Sequence, residues 1–258
     1  MRIAMERKTG IIVITCLTII SAVIFNPVQT VSEPVELTLE DFQKYDQNPF
    51  ADWKYRKEYK KAAAVYSIVE ENGRKYLKGA TTPAHSMIQI GKQVNHNNLL
   101  SKNKIDWDIF TYPNLSWDWR ITTLPAGGNE KHDDTNDSAA SIYVVFQKMR
   151  VPFASWEYQP ANWIKYVWST TLPVGTVITR KFSRFGMSLY EGKYIVVASG
   201  KKDLGKWLTV KRNVLEDYKK HFGGNPSFNP IVIGILTDSN STDSSAEADY
   251  DNIKASNH

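Results

Sequence analysis

A run of strict two-residue alternation limits what this chain can fold into. From Asn114 onward, Leu115, Trp117, Trp119 and Ile121 fall on one side, and Ser116, Asp118, Arg120 and Thr122 on the other. Successive side chains of a strand point to opposite faces, so the pattern predicts a half-buried strand with its tryptophans in the core. A second run, Ser141 to Phe146, is apolar and β-branched. That composition suits a strand covered on both faces. An acidic loop with Asp133, Asp134, Asn136 and Asp137 joins the two runs.

Other stretches repeat the theme. Residues 65–69 and 75–78 flank Glu71-Asn72-Gly73, and Asn-Gly between alternating runs predicts a hairpin. In residues 163–170, Ile164, Tyr166 and Trp168 oppose Trp163, Lys165 and Val167. Further strands are expected near 53–57, 85–90, 105–110, 177–182, 187–190, 194–199, 231–236 and 246–253. Residues 149–161 read as irregular. A short helix is expected near Leu39, and a firmer one over 213–222. There Asn213 caps, Glu216 reaches back, and Leu215, Tyr218 and Phe222 share a face before Gly223. Many short strands with one helix predict an all-β fold, a two-layer antiparallel β-sandwich of jelly-roll type.

The 258 residues suffice for one such domain, and 42% hydrophobic content suffices for its core. The formal charge is +5, of which Arg2, Arg7 and Lys8 against Glu6 supply +2. The remaining charge is too small and scattered to indicate a nucleic-acid partner. Arg7 and Lys8 precede an apolar run over residues 11–25, broken by Asn26 and Pro27. This order reads as a signal peptide over residues 1–32, with one β-sandwich domain over 33–258. An uncleaved leader is the alternative and would be the chain's membrane contact. Its run falls short of the roughly 20 residues that a span prefers. The 1 cysteine, Cys16, lies in the leader. A processed chain therefore has no disulfide framework and no thiol nucleophile.

Three motifs suggest ligands. Gly200 to Lys206 resembles a phosphate-binding loop, but Trp207 stands where Ser or Thr would hold magnesium, so no nucleotide is expected. Asp238 and Asn240, with Asp249 and Asp251 further on, offer oxygen ligands suited to a structural calcium. Position six of that loop is Asp243 rather than Gly, and a polar turn explains the acids equally well. No cofactor is required. Paired carboxylates are the enzymatic possibility. Asp118 with Glu247 or Asp249 would hydrolyse a glycoside only if they met within about 10 Å. The five histidines show no ligand spacing. Among aromatic residues, Trp117 and Trp119 share the core face. Trp163 is the better candidate for an outward sugar platform, with Tyr166, Asp118 and Arg120 as further ligand-binding candidates.

Three blocks carry a family resemblance. They are Leu115-Ser-Trp-Asp-Trp-Arg120 with the Tyr-Val-Val-Phe146 strand, Ile164-Lys-Tyr-Val-Trp-Ser169 with Leu172-Pro-Val-Gly-Thr176, and Gly205-Lys-Trp207 through Leu236-Thr-Asp-Ser-Asn240 to Asp251. With these the chain resembles the exported bacterial family catalogued as domain of unknown function 3047. The resemblance implies a bacterial protein, periplasmic or secreted, with no established activity. The acidic final strand is also similar, more distantly, to galactose-binding-like jelly-roll modules, in which an Asp near the end of the last strand ligates a structural calcium. The expected role is a non-catalytic, exported sandwich that binds a carbohydrate or cell-envelope polymer. A glycan-active hydrolase or lyase and an envelope structural protein are the alternatives.

Overall fold

A computed structural model describes residues 35–55, 62–95, 105–148, 161–184 and 187–258. The leader, the stretch 56–61, His96 and residues 149–160, which the sequence reads as irregular, lie outside the described residues. The strands are β1 (Glu36–Glu40), β2 (Trp53–Lys54), β3 (Tyr66–Glu71), β4 (Arg74–Thr81), β5 (Ile90–Gln93), β6 (Asn114–Thr123) and β7 (Ala140–Gln147). They continue with β8 (Ala161–Ser169), β9 (Val177–Arg184), β10 (Met187–Ser199), β11 (Leu208–Asn213), β12 (Pro230–Leu236) and β13 (Ala246–Ser256). Two short helices are α1 (Ala62–Val65) and α2 (Val214–Tyr218).

The strands form two sheets. The first has the order β11-β6-β13-β4-β3, with β1 also paired to β13; the second runs β2-β5-β12-β7-β8-β10-β9. The chain passes repeatedly from one layer to the other, which is a jelly-roll winding of a β-sandwich. One pair departs from the antiparallel rule: β8 and β10 run parallel. The β9–β10 connection permits this, because β9 takes the antiparallel place at the sheet edge.

The Trp-x-Trp run fills the space between the layers. Leu115, Trp117, Trp119 and Ile121 are all fully buried. Trp117 meets Tyr166 of β8 at 5.3 Å between ring centroids, and Trp119 meets Trp168 at 5.8 Å. Facing aromatics on opposed sheets bury large apolar areas and so fix the pairing of the layers. The Asn72-Gly73 turn closes the β3–β4 hairpin with positive φ at both residues, 52° and 78°, the conformation that Asn-Gly favours.

Some local expectations fail for identifiable reasons. The segment at Leu39 is strand rather than helix, because β1 finds its partner in β13, more than two hundred residues away. Residues 105–110 form no strand, and a turn begins at Ile109. The Asp108 carboxylate accepts hydrogen bonds from the Phe110 N–H and the Thr111 hydroxyl, a local competition that Asp often wins. The strand expected at 85–90 begins only at Ile90. β11 carries a weak alternation and was not foreseen. The stretches 187–190 and 194–199 join into the single strand β10. The helix over 213–222 starts as expected, with the Asn213 side chain accepting from the Glu216 N–H at 2.9 Å. It then widens into a π-turn over Lys219–Gly223.

Candidate functional site

The sandwich has two outer faces, and they differ in chemistry. On the first sheet, alternation turns Arg74, Tyr76, Asp118, Arg120, Asp249 and Asp251 outward. There the charges neutralise one another. Arg74 donates to Asp251 at 2.6 Å and to Asp118 at 2.7 Å. Arg120 donates to Asp249 at 2.7 Å, to Glu71 at 2.9 Å and to the Tyr76 hydroxyl at 2.9 Å. Trp207 covers both guanidinium groups, its ring centroid 3.9 Å from the Arg74 Cζ and 5.0 Å from that of Arg120. Burial raises the carboxyls of Asp249 and Asp251, and the arginine hydrogen bonds pull both back. This face is a closed lattice of paired charges.

The second sheet presents a different surface. Cross-strand register sets Val145, Trp163, Gly192 and Arg180 in one row across β7, β8, β10 and β9. The next row holds Gly234, Tyr143, Lys165 and Tyr194. Trp163 is partly exposed. Its indole lies over the backbone at Gly192, where a Cβ would fall 2.2 Å from the ring. Glycine at 192 is therefore the condition for the flat placement of the indole.

The row beside Trp163 holds an unusual group of charges. Lys165 is 1% exposed. Its ammonium sits 4.6 Å from the Tyr194 ring centroid and 5.4 Å from that of Tyr143, an arrangement that favours the cation electrostatically. Burial pushes the Tyr143 hydroxyl up, with the neighbouring Tyr194 adding to the shift. Glu130 comes from the loop before β7 and Asp238 from the turn after β12, and both are buried. Burial raises both carboxyls, and attraction to Lys165 pulls each part of the way back. Asp238 is pushed up to about 7. The Glu130 carboxylate accepts from the Ser169 hydroxyl at 2.5 Å through Oε2, while Oε1 has no partner. Arg180 donates to the Glu130 carbonyl at 3.0 Å and pairs with Asp133 at 2.6 Å. A carboxyl pushed up to about 7 beside a buried cation is a mark of functional sites.

The ligand-binding candidates read from sequence do not meet. Asp118 and Arg120 share the first sheet's outer face, whereas Trp163 lies on the outer face of the second. Tyr166 is fully buried between the layers, where its hydroxyl donates to Asp217 at 2.8 Å. The proposed calcium ligands also separate. Asp249 and Asp251 face outward on the first sheet, held by Arg120 and Arg74, while Asp238 and Asn240 follow β12 of the second sheet. Among the described residues no group of three or more His, Cys, Asp or Glu side chains could hold a metal ion. Asp118, Glu247 and Asp249 are each engaged by a basic group or a hydroxyl.

Lys165, Tyr143, Tyr194, Arg180 and Glu130 went unnoticed as a cluster in the sequence. One signal was available. Lys165 interrupts the face otherwise formed by Trp163 and Val167, on a strand apolar on both sides. A strand of that kind is covered on both faces, so its lysine must be buried. Glu130 gave no signal, because a loop acid is ordinarily solvated.

The chain belongs to the family described as "Protein of unknown function (DUF3047)", whose model matches residues 51–254. No curated protein matches the sequence. Among solved structures, the chain is similar to a loop-swap mutant of Xyn11A from Necallimastix patriciarum, at 12% identity and a TM-score of 0.41, covering 86% of this chain and 99% of that one. It is also similar to the wild-type ENZbleach xylanase, at 11% identity and a TM-score of 0.42, covering 86% of this chain and 87% of the other. A family 12 glycoside hydrolase is similar at 9% identity and a TM-score of 0.38, over 86% of this chain and 98% of its own.

Proposed function

We propose that this member of the DUF3047 family is an exported, non-catalytic β-sandwich protein that binds a carbohydrate or cell-envelope polymer on the outer face of its seven-stranded sheet. The observation that carries the reading is the partly exposed indole of Trp163, laid over Gly192 of β10, the strand next to the sheet edge. A flat aromatic ring offers an apolar surface to the C–H face of a sugar, and nearby polar groups orient its hydroxyls. Arg180 stands in the same row and supplies donors. Binding is favoured over chemistry because Glu130 and Asp238 lie beneath the surface. Carboxyls that act on a glycosidic bond must flank it. Export to the periplasm or medium is supported by Arg7 and Lys8 before the apolar run of the leader; cell fractionation with an antibody to the chain tests it.

The test of binding is co-sedimentation with insoluble envelope polysaccharides. Wild-type protein is expected in the pellet, and the Trp163→Ala variant in the supernatant. Wild-type protein that sediments with no envelope glycan would refute the reading.

One observation favours a second reading, a glycan hydrolase or lyase. Asp238, titrating at about 7, is poised to exchange a proton at neutral pH. Release of reducing ends or unsaturated sugars by wild type, abolished in both Glu130→Gln and Asp238→Asn, would establish this second reading and displace the first.

A further inference from the structure

We infer that Tyr190 is the second ring of the platform that Trp163 begins, and that the pair takes one extended chain of β-linked pyranoses with equatorial substituents. The inference rests on the glycan-binding reading above and adds a residue and a ligand class to it.

Strand register brings the two rings together. β8 and β10 run side by side in parallel, with Ala161 opposite Tyr190 and Trp163 opposite Gly192. Alternation puts Tyr190, Gly192 and Tyr194 on one face of β10, and Ala161, Trp163 and Lys165 on the same face of β8. Each ring thus has a small residue across from it, which leaves room for both. The Trp163 indole lies over Gly192, two residues along β10 from Tyr190, so the rings follow one another along that strand. Their centroids are 6.2 Å apart. The pair differs from the aromatic contacts of the core. Trp117, Trp119, Tyr166 and Trp168 are buried between the layers, whereas Trp163 and Tyr190 are both partly exposed.

The two ring planes are inclined at 51°. Coplanar rings would suit the flat face of a packed polysaccharide. Tilted rings suit one chain whose successive sugars turn relative to each other. The face of an aromatic ring carries partial negative charge, so it attracts a patch of C–H groups on the sugar. Equatorial substituents leave each pyranose such a patch, made of its axial hydrogens. Equatorial β-linkages also keep the chain extended, so neighbouring sugars reach neighbouring rings. An α-1,4 chain coils and offers its sugars to the pair less well.

The experiment measures calorimetric affinities for N-acetylglucosamine, chitotetraose and maltotetraose. Wild type is expected to bind chitotetraose at least about tenfold more tightly than the monomer, and more tightly than maltotetraose. Tyr190→Leu keeps apolar bulk and removes the flat ring, so it should lose most of the gain from monomer to tetramer. Tyr190→Phe should retain that gain, and Trp163→Ala should weaken every ligand. Where Tyr190→Leu fails to fold, the length and linkage comparisons on wild type still decide the inference. Equal affinity of wild type for monomer and tetramer, or an undiminished gain in a folded Tyr190→Leu, would overturn the two-ring platform. Maltotetraose bound as tightly as chitotetraose would overturn the ligand class. Sedimentation with an envelope glycan that Trp163→Ala abolishes, without affinity for chitotetraose, would overturn this inference and leave glycan binding standing. Absence of binding to any of these would overturn both.

Discussion

Trp163 occupies the space that a side chain at position 192 would need. A Cβ built on Gly192 falls 2.2 Å from the indole Cε2 and Nε1. No real Cβ sits that close, so Gly192→Ala must lift the indole or displace β10. The expected cost is about 1–3 kcal/mol in urea unfolding, the range for overpacked sites. Tryptophan fluorescence should shift as the ring leaves its seat. Unchanged stability and emission would place the indole elsewhere.

The paired lattice on the first sheet leads to a second expectation. Asp249 is 2% exposed, and Arg120 is its ion-pair partner at 2.7 Å. Arg120→Ala leaves a buried carboxylate without its counter-charge, which costs about 3–5 kcal/mol in comparable cases. The double variant Arg120→Ala/Asp249→Ala should recover much of that loss. A double-mutant cycle showing no coupling would contradict the account of this face.

Asp238 sets a pH dependence. Its carboxyl is pushed up to about 7 in the folded protein, mainly by burial, against about 3.9 for an unperturbed aspartate. Between those values the folded state holds the proton more tightly than the unfolded chain. Its contribution to stability is thus present at low pH and lost as pH rises through about 7. Asp238→Asn removes that dependence, so the variant should gain stability relative to wild type as pH rises from acid to neutral. Denaturation midpoints for both proteins across that window provide the check. A flat or falling difference would contradict the assignment.

The α2 cap is a local test. Asn213 accepts from the Glu216 N–H at 2.9 Å, and Asn213→Ala should cost about 1 kcal/mol. Asp217 of this helix holds Tyr166 in the core at 2.8 Å. The loss should therefore appear in global unfolding rather than as local fraying alone.

Alternation was the most informative signal in the sequence. It placed Trp117 and Trp119 in the core and Asp118 and Arg120 outside, because burial on one face leaves a period of two that needs no partner to be read. The Asn72-Gly73 turn and the Asn213 cap were legible for the same reason: their causes are local. β1 was not, since its strand state depends on β13 at the far end of the chain. Nor was the cluster at Lys165, because Glu130 and Asp238 arrive from loops that only the folded sheet brings to β8. The choice of Asp118, Arg120, Trp163 and Tyr166 as ligand-binding candidates had no such local basis. They lie on two opposite outer faces and between the layers.

Under the proposed function the glycan meets the second sheet's outer face rather than the first. Each face carries an indole, Trp163 on one and Trp207 on the other, so their N–H resonances report on the two faces separately. Titration of nitrogen-15-labelled protein with an envelope oligosaccharide should shift the Trp163 indole signal in a saturable manner and leave that of Trp207 in place. A shift at Trp207 with Trp163 unmoved would contradict the account.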